Sequence, residues 1–485
     1  MVRGTSDRMQ RRACASRNAV AWRVTDARPH CAVREIDVWS SMRALVLNGA
    51  IGTDPVLSRC EAHVMRALEA RGVQVDVRRM QEIPVAWCQG CFECWTHTPG
   101  ICKIDDAGRS MAEAFAKSDV LVYLTPVTFG GYSSELKKAL DRSLGVLLPF
   151  FKRIDSEVHH AQRYTHHQAI GVVATLEHPD AEAETTLRTL VTRNAINFAA
   201  AVHAVAVLDG PTDEAREAAA CTTLIGTLTA PPAAAAPAHI DDVDRLLPAL
   251  PCAGDDAVPP QRALLLVGSA KPRGTSTSEA LGHEMRARLE AQGIAITTRW
   301  VQQDAHSAHG LATLAADART HDLLVIVTPL YIDSLPSLVT RALEAIASNR
   351  RSLASPPPLT VALIVNCGFP EARHSSVAAA ICALFARATG ARWAGALQLG
   401  GGGTVDGRSL SEVGGVVRHL PAALDKAGAM LAGGRAIPPE SMVAFRQPLM
   451  PTTLYMAAGD AGWLWTAAHE GVLMKLWRRP YAEAP

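Results

Sequence analysis

The sequence contains no run of about 18 apolar residues, the length that a helix needs in order to cross a membrane. Its first 41 residues carry eight arginines but no hydrophobic segment, so they lack the form of a secretory signal. A formal net charge of +1 provides no field suited to a nucleic-acid backbone. From these absences we predict a cytoplasmic protein with no membrane span and no nucleic-acid partner.

Several catalytic signatures are absent as well. The chain has no Walker loop, no Ser, His and Asp in a hydrolase order and no conspicuous carboxylate pair, which excludes kinase and hydrolase interpretations. Its eleven cysteines are odd in number and thinly spread outside one cluster, which argues against the disulfide framework of a secreted protein. The cluster, residues 88–102, therefore needs another explanation.

Two internal repeats determine the predicted fold. "RALVLNGA" from Arg43 matches "RALLLVGS" from Arg262, and "SDVLVYLTPVTFGGYSSELKKALDR" from Ser118 matches "HDLLVIVTPLYIDSLPSLVTRALEA" from His321. In each copy strands alternate with helical patterns, and strands such as "LLVIVTP" are apolar throughout, which indicates burial on both faces. We predict an α/β protein with two tandem doubly wound domains, each with a parallel five-stranded sheet flanked by helices.

Composition sets the predicted domain boundaries. Residues 1–41 lack helical or strand periodicity and are predicted to be a disordered extension, and a Pro/Ala-rich linker is predicted at 228–260. The first domain is assigned to residues 42–227, with the cysteine-rich segment as an insertion, and the second to 261–485. The second domain ends in an aromatic helix, "GWLWTAAHEGVLMKLWRRPY", for which we expect core or subunit-interface packing rather than membrane docking.

The loop after the first strand of the second copy, "GSAKPRGTSTSEAL" at residues 268–281, has a composition suited to an anion. It is rich in hydroxyls, contains two cations and leads directly into a helix N-terminus, where unpaired N–H groups favour a phosphate. A helix capped by Ser276 or Thr277 with nothing bound is the alternative.

A second kind of loop follows the third strand of each copy. "TPLYIDSLP" and "TPVTFGGYSSELK" both place a proline and an aromatic residue just after a buried strand, which suits the wall of a flat ring, although a tight turn is the simpler alternative. The carboxyl ends of parallel strands lie at one edge of the sheet. A phosphate loop and a ring loop at that edge indicate one ligand with both parts.

These residues carry a resemblance to a known family. "GSAKPRGTS", "TPLYIDSLPSLV", "NCGFPE" and "TPVTFGGYSSELKKALDR" resemble the flavin-binding loops of the NADPH-dependent FMN reductase branch of the flavodoxin-like superfamily. The resemblance implies two flavodoxin-like domains, FMN as cofactor and NAD(P)H as cosubstrate. In the second domain it implies FMN contacts from Ser269, Lys271, Thr275, Ser276, Thr277, Pro329, Leu330, Tyr331, Ile332, Asn366, Cys367 and Gly368. In the first domain it implies contacts from Pro126, Thr128, Phe129, Gly130, Gly131 and Tyr132.

The first copy departs from the family pattern at its phosphate loop, "NGAIGTDPVLSR". Ala50 stands where the family has a serine, and Asp54 places a negative charge where a phosphate would lie. Thr53, Ser58 and Arg59 remain as candidate contacts. We therefore predict tighter FMN binding by the second copy.

The cysteine cluster is specific to the first copy. Arg43 and Pro126 are 83 positions apart, whereas the equivalent Arg262 and Pro329 are 67 apart, and the cysteines fall in the longer interval. The spacing Cys-x2-Cys-x2-Cys-x7-Cys suits a single compact centre and resembles the cysteine run of iron–sulfur flavoproteins. A 4Fe–4S cluster, a zinc ion and free or redox-active thiols all stay open at this point. The predicted metal ligands are Cys88, Cys91, Cys94 and Cys102.

Two smaller features complete the predicted site. "SEVHHAQRYTHH", residues 156–167, is predicted to be a polar loop or interface rather than a metal site, because its adjacent histidines lack helical spacing. The glycines at 400–403 either let the backbone approach the ring or form a mobile loop.

The predicted function is an NAD(P)H-dependent FMN oxidoreductase that passes electrons to a quinone, a flavin or another small acceptor, through a cluster in the first domain if the four cysteines hold one. The chain has no dinucleotide fingerprint, so the nicotinamide would stack on the flavin. The cysteine segment would make the first domain a converter of two-electron to one-electron transfer. The alternative is a non-catalytic electron-transfer or thiol redox-sensing module. No catalytic residue is assigned, and a homodimer stays open.

Overall fold

The structure, a computed structural model, describes residues 42–166, 168–230 and 258–482. The predicted extension at 1–41 lies outside this range, and so do residues 231–257 of the predicted linker. No helix of the described residues is long and apolar enough to span a bilayer.

The first domain is a doubly wound sheet with one added hairpin. Its strands run parallel in the order β2-β1-β3-β6-β7, while β4 and β5 pair antiparallel beside this sheet. The central strand β3 is buried along nearly its whole length, as its apolar sequence predicts. The elements are β1 (Arg43–Asn48), α1 (Pro55–Glu69), β2 (Gln74–Arg79), α2 (Glu93–Thr96), α3 (Ala107–Lys117), β3 (Val120–Pro126), α4 (Ser134–Arg142), β4 (Leu147–Ile154), β5 (Glu157–Gln162), β6 (Ala169–Leu176), α5 (Ala181–Asn197), β7 (Val202–Asp209) and α6 (Glu214–Leu228).

The second domain repeats the same order. Its strands run parallel as β9-β8-β10-β11-β12, which is the arrangement of the first sheet position by position. The predicted fold class, two doubly wound domains with parallel five-stranded sheets, is confirmed. The elements are β8 (Arg262–Val267), α7 (Thr277–Ala291), β9 (Ala295–Trp300), α8 (Val301–Asp304), α9 (Ala308–Thr320), β10 (Leu323–Pro329), α10 (Ser337–Arg351), β11 (Thr360–Asn366), α11 (Ser376–Ala388), β12 (Arg392–Leu399), α12 (Leu410–Val413), α13 (Leu420–Ala432), α14 (Pro439–Arg446) and α15 (Thr452–His469).

The two domains meet through α4 and α10, and their contacts are reciprocal. The backbone N–H and hydroxyl of Ser134 donate to Glu344 at 2.9 and 2.6 Å, and the backbone N–H of Ser337 donates to Asp141 at 2.8 Å. Each helix thus provides a carboxylate to the N-terminus of the other, where the helix dipole favours negative charge. The pattern is that of an isologous dimer interface formed within one chain, and it supports the predicted duplication.

One hydrophobic core continues across this interface. Its buried members include Leu47 and Leu140 of the first domain and Leu266 and Leu343 of the second. Because the apolar faces of both sheets contribute to the same core, side chains of the first domain are held in fixed positions beside the binding edge of the second.

Candidate flavin and cysteine site

A cavity of about 620 Å³ lies at the carboxyl edge of the second sheet. The loops after β8, β10, β11 and β12 line it, and residues 90–96 of the first domain and helix α15 complete its walls. Its volume lies within the roughly 300–1,000 Å³ of typical cofactor and ligand sites. Predicted residues that line it are Ser269, Lys271, Ser276, Thr277, Pro329, Leu330, Tyr331, Asn366 and Gly368.

One end of this cavity is built for an anion. Ser276 caps α7, accepting the N–H of Glu279 at 3.1 Å, and the Thr277 hydroxyl donates to the Gly402 carbonyl at 2.7 Å, which fixes the loop. The nearest carboxylate to the Lys271 ammonium is that of Asp406, at 3.9 Å. First-turn N–H groups have no partner inside a helix, so these groups and the lysine together suit a phosphate. The predicted Thr275 hydroxyl instead donates to the Pro272 carbonyl at 2.6 Å.

The other end is formed by the loop after β10. Tyr331 and Ser334 exchange backbone hydrogen bonds of 2.9 and 3.1 Å, and the two residues between them, Ile332 and Asp333, have φ of 48° and 55°. This is the geometry of a two-residue turn with both central residues left-handed, which is costly for a β-branched isoleucine. The turn therefore needs support from its surroundings.

The first domain supplies that support through Asp333. The guanidinium of Arg193 donates to its carboxylate at 3.2 Å, Asn194 donates at 3.2 Å, and Asn197 adds a further short hydrogen bond. Burial would raise the pKa of Asp333, but the charge of Arg193 holds it below its ordinary value. Helix α5 of the first domain thus holds the ring loop of the second in place.

A smaller cavity of about 150 Å³ adjoins the first behind the ring loop, and the predicted residues Ile332 and Cys367 line it. Its walls include the aromatic rings of Phe151, Phe369 and Trp463. Sequence reasoning missed these three, because they come from hairpin β4–β5, a loop after β11 and helix α15, which only the tertiary structure brings together. His160 also lines this cavity, and burial lowers its pKa to about 4, so it is neutral.

The equivalent loop of the first domain packs instead against the second domain. The ring of Phe129 contacts Phe385 edge-on at 5.3 Å between centroids, and a Cβ on Gly130 would lie 2.7 Å from Leu384. The Tyr132 hydroxyl donates to Asn194 at 3.0 Å. The remaining predicted residues of this loop are Pro126, Thr128 and Gly131, of which Thr128 and Gly131 form the turn.

The phosphate loop of the first domain is also committed to other contacts. Asp54 caps α1 by accepting the N–H of Leu57 at 2.9 Å, so a carboxylate lies where the second domain has a serine. Arg59 forms two hydrogen bonds of 2.7 Å with Glu217, and the Ser58 hydroxyl donates to the Asp54 carbonyl at 2.9 Å. Thr53 is exposed. This loop therefore presents negative charge and few free donors to an anion.

The cysteine segment lies between β2 and β3, as predicted, and extends over the cavity of the second domain. Gly90, Cys91 and Phe92 line the 620 Å³ cavity. Gly90 has φ of 63°, and a Cβ at this position would lie 1.9 Å from the Tyr331 hydroxyl, so only glycine permits this approach. The expectation that the segment serves a flavin of the first domain is not what the contacts show, because the loop it touches belongs to the second domain.

All four predicted ligands, Cys88, Cys91, Cys94 and Cys102, line one further small cavity. The segment that carries them is fixed by Trp95, whose indole N–H donates to the Leu147 carbonyl at 3.0 Å, and by Arg109, whose guanidinium donates to the Cys102 carbonyl at 2.8 Å. Burial raises the pKa of the Cys88 thiol to about 12.

The spacing of the sulfurs distinguishes among the candidate occupants. Among the described residues, the side chains whose ligand atoms all lie within 4.8 Å of one another are Glu157, His159 and His374, so no three of the cysteine sulfurs are that close. A zinc ion with Zn–S bonds of about 2.3 Å would bring its sulfurs to about 3.8 Å of one another. Four sulfurs that share a cavity at wider spacing fit a larger metal–sulfide cluster better than a single ion.

The group of Glu157, His159 and His374 is better explained as a buried ionic network than as a metal site. Arg373 and Arg193 reach Glu157 at 2.6 and 3.0 Å, and Arg193 also donates to Nδ1 of His374 at 2.7 Å. Burial would raise the pKa of Glu157, but its hydrogen bond to His159 and the charge of Arg193 lower it to about 2. Two guanidiniums already supply the positive charge, and the network joins the two domains.

Comparison with known proteins finds a family model that is similar to the first domain. Residues 42–205 match the NADPH-dependent FMN reductase family. The chain is also 30% identical over 101 residues to an iron–sulfur flavoprotein of Methanosarcina thermophila, a match that covers 20% of this chain and 52% of that protein. The matched part thus spans about half the length of this curated relative.

Two solved structures illustrate the structural neighbours. An NAD(P)H:quinone oxidoreductase from Methanothermobacter marburgensis is 12% identical with a TM-score of 0.29, over 38% of this chain and 94% of that one. An FMN-dependent NADH-azoreductase from Bacillus anthracis str. Ames Ancestor, in complex with FMN, is 12% identical with a TM-score of 0.27, over 35% of this chain and 99% of that one.

Proposed function

We propose that this protein is an NAD(P)H-dependent flavin oxidoreductase that binds FMN in the second domain and holds an iron–sulfur cluster on the four cysteines of the first. The observation that carries the proposal is that the flavin cavity and the four-cysteine cavity share Cys91 and Phe92 as lining residues. The match to a flavin reductase family covers residues 42–205 of the first domain, so it supports a flavin in the second domain only through the strand order that the two domains share. The 101-residue similarity to an iron–sulfur flavoprotein supports the cluster.

Residues of the second domain would contact both the phosphate and the ring of the flavin. Lys271, Ser276 and the first-turn N–H groups of α7 would hold the phosphate, while Leu330 and Tyr331 would form a wall for the ring. When bound, FMN accepts a hydride from NAD(P)H and releases the electrons to a second acceptor. The protein's part is to orient the ring and to exclude water from one of its faces.

The cysteine segment provides the thiolates and an apolar cover. Phe92 stacks on Trp95 with ring centroids 5.3 Å apart, and Trp463 of α15 contacts both rings edge-on. A cluster at this place supplies one-electron transfer, and its potential depends on such shielding from solvent. Gly90 lies against Tyr331 of the ring loop, and Cys91 and Phe92 line both cavities, so a cluster held by the cysteines would lie beside the flavin cavity.

The second acceptor enters a pocket with aromatic walls. Phe151, Phe369 and Trp463 offer apolar faces suited to a small flat ring such as that of a quinone. The neutral imidazole of His160 has its Nδ1 3.1 Å from the Pro149 carbonyl, so Nδ1–H donates and Nε2 is left as an acceptor. We therefore assign the acceptor as a planar, mainly apolar compound.

Anaerobic purification followed by absorption spectroscopy and iron and sulfide assays tests this proposal. We expect flavin and iron–sulfur bands together, with NAD(P)H oxidation coupled to a quinone. Absence of flavin would reject the oxidoreductase. Flavin-loaded protein that oxidises neither NADH nor NADPH would instead favour an electron-transfer module, and iron-free protein with four titratable thiols would leave a flavin reductase without a cluster.

A further inference from the structure

Helix α15 exposes a face that carries no charge. Between Thr452 and Ala468 its one charged residue is Asp460, and that carboxylate accepts the backbone N–H of Phe151 at 3.0 Å, so it faces the protein. On the outer face Leu454 is 58% exposed and Trp465 is 65% exposed, with small alanines between them. A helix that is apolar on all sides is normally buried, so this face needs a partner.

The exposed apolar surface continues past the end of the helix. Leu464 adds to it from α15, and Met474 and Trp477 follow, with exposures of 89% and 52%. Five of the nine exposed large hydrophobic side chains of the described residues lie within 454–477, so exposed apolar side chains are concentrated in this segment. We call Leu454, Leu464, Trp465, Met474 and Trp477 the C-terminal patch.

Cations accompany this patch without acidic counterparts. Lys475, Arg478 and Arg479 are exposed, and no ion pair between described residues includes them. The second acidic residue of this region, Glu470, is already paired with the ring of His97 at 3.0 Å. The patch therefore combines an apolar surface with uncompensated positive charge.

The exposure of these side chains departs from the core or subunit-interface packing that the sequence led us to expect for this segment. We propose instead that the C-terminal patch docks on the surface of an anionic lipid bilayer. Exposed Trp and Leu side chains beside Lys and Arg are the combination that lies in a membrane interface, with the apolar groups below the headgroups and the cations against anionic lipid. A second copy of the chain would place a surface of the same charge opposite these cations and would offer no acidic complement. Charge complementarity thus favours lipid over self-association.

The C-terminal patch lies next to the flavin cavity, so docking on a bilayer would affect access to that cavity. Ala458, Gly462 and Trp465 lie on the exposed side of α15 and also line the 620 Å³ cavity. A bilayer against the patch would therefore lie at the cavity mouth, where a lipid-dissolved acceptor could enter. This consequence rests on the proposed function, whereas docking itself does not.

Flotation of the full-length protein with vesicles tests the proposal directly. We expect binding to phosphatidylcholine vesicles that contain phosphatidylglycerol, little binding to phosphatidylcholine alone, and weakening by salt. Leu454→Glu with Leu464→Glu should reduce binding at least about tenfold, since each change removes the burial of a leucine side chain. Removing Lys475 or Arg479 as alanine variants should each cost about fivefold, from roughly 1 kcal/mol per cation at such a surface.

The matched control is Val416→Glu with Val443→Glu, two exposed valines of the second domain that lie outside the patch. This variant should bind vesicles as the wild type does. Failure of the wild type to float with anionic vesicles would overturn the proposal. So would sedimentation showing a wild-type dimer that Leu454→Glu with Leu464→Glu converts to monomers, which would make the patch a subunit interface. The flavin content, measured separately, reports on the proposed function and does not enter this test.

Discussion

The two halves of the molecule have the same strand order but use the carboxyl edge of the sheet in opposite ways. In the second domain this edge opens into a cavity of about 620 Å³ with a serine-capped helix and a lysine whose ion pair with Asp406 is 3.9 Å long. In the first domain Asp54 caps the equivalent helix, and the equivalent ring loop packs against α11. One fold thus provides a binding cleft in one half and a packing surface in the other.

The difference shows how two related domains can divide one site between them. The first domain contributes the cysteine segment, the hairpin β4–β5 and the side chains that hold Asp333 to the cavities beside the second sheet. Its own equivalent loops are packed against other parts of the protein. The second domain contributes the anion loop and the ring loop. The resulting centre is composite, so changes in either half should affect it in distinct ways.

The largest expected effect comes from the cysteines, which only the first domain carries. Cys91→Ser with Cys94→Ser should remove essentially all iron and sulfide and abolish one-electron acceptor reduction, while flavin binding and two-electron quinone reduction remain. Metal analysis and acceptor assays on anaerobic protein measure this. The control Cys221→Ala changes a buried cysteine of the same domain far from the cavity and should retain the iron. Full iron content in the double serine variant would contradict the ligand assignment.

The anion loops of the two halves are expected to differ strongly in importance. Lys271→Glu with Ser276→Ala in the full-length chain should raise the FMN dissociation constant at least about a hundredfold, because hydrogen bonds to charged groups contribute about 1.5–3 kcal/mol each. Thr53→Ala with Ser58→Ala, which removes the two hydroxyls at the equivalent loop of the first domain, should leave it unchanged. Fluorescence titration of apoprotein gives both values. A reversal of this order would place the flavin in the first domain.

A substitution in the ring loop of the second domain measures how much the side chains of the first domain stabilise that loop. Asp333→Asn preserves a residue that tolerates positive φ but removes the charge opposite Arg193, and breaking such a buried pair should cost about 3 kcal/mol. The pKa of Asp333 is lower in the folded protein than in the unfolded chain. The carboxylate of Asp333 therefore stabilises the folded state fully above its ordinary pKa of about 4, and this stabilisation is lost as the pH falls through the lower pKa of the folded state.

Urea unfolding at neutral and acidic pH measures the difference in the free energy of unfolding between the wild type and Asp333→Asn. This difference should be smaller at acidic pH. Asp425→Asn, which alters an exposed pair with Arg288, should cost less than about 1 kcal/mol and serves as the control. Equal costs for the two variants would mean that the network around Asp333 does not hold the loop.

A pair of glycines gives the smallest and most local comparison. Gly90 and Gly52 have φ of 63° and 65°, but a Cβ at Gly90 would overlap the Tyr331 hydroxyl, whereas nothing lies within 4 Å at Gly52. Both alanine variants should lose about 1 kcal/mol of stability from backbone strain. Gly90→Ala alone should also weaken FMN binding, by about tenfold if the tyrosine moves. Equal FMN affinities for the two variants would mean that this contact is not part of the site.

The sequence predicted the features that local pattern determines. Continuous apolar runs such as that of β10 predicted the buried parallel strands, and the repeat predicted the second sheet. The anion loop was recognisable because its hydroxyls, Lys271 and the helix N-terminus are contiguous. The spacing of the four cysteines likewise predicted one centre.

The remaining features depend on tertiary packing and could not be predicted. Phe151 lies on a hairpin whose position beside the second domain no local pattern specifies, and Trp463 belongs to a helix whose inner face is known only once it is docked. The cysteine segment was expected to serve its own domain, because a sequence does not show that the loop of Gly90 crosses the interface to Tyr331. The contact of Phe129 with Phe385 could not be predicted either, because it also joins two domains.

A single composite centre implies that the chain binds one flavin and that it binds in the second domain. Titration of apoprotein with FMN, followed by flavin fluorescence quenching, should end at one equivalent per chain. In the variant Lys271→Glu with Ser276→Ala that single tight site should be missing. An end point of two equivalents, or one tight site that survives this variant, would contradict a single composite centre on the second domain.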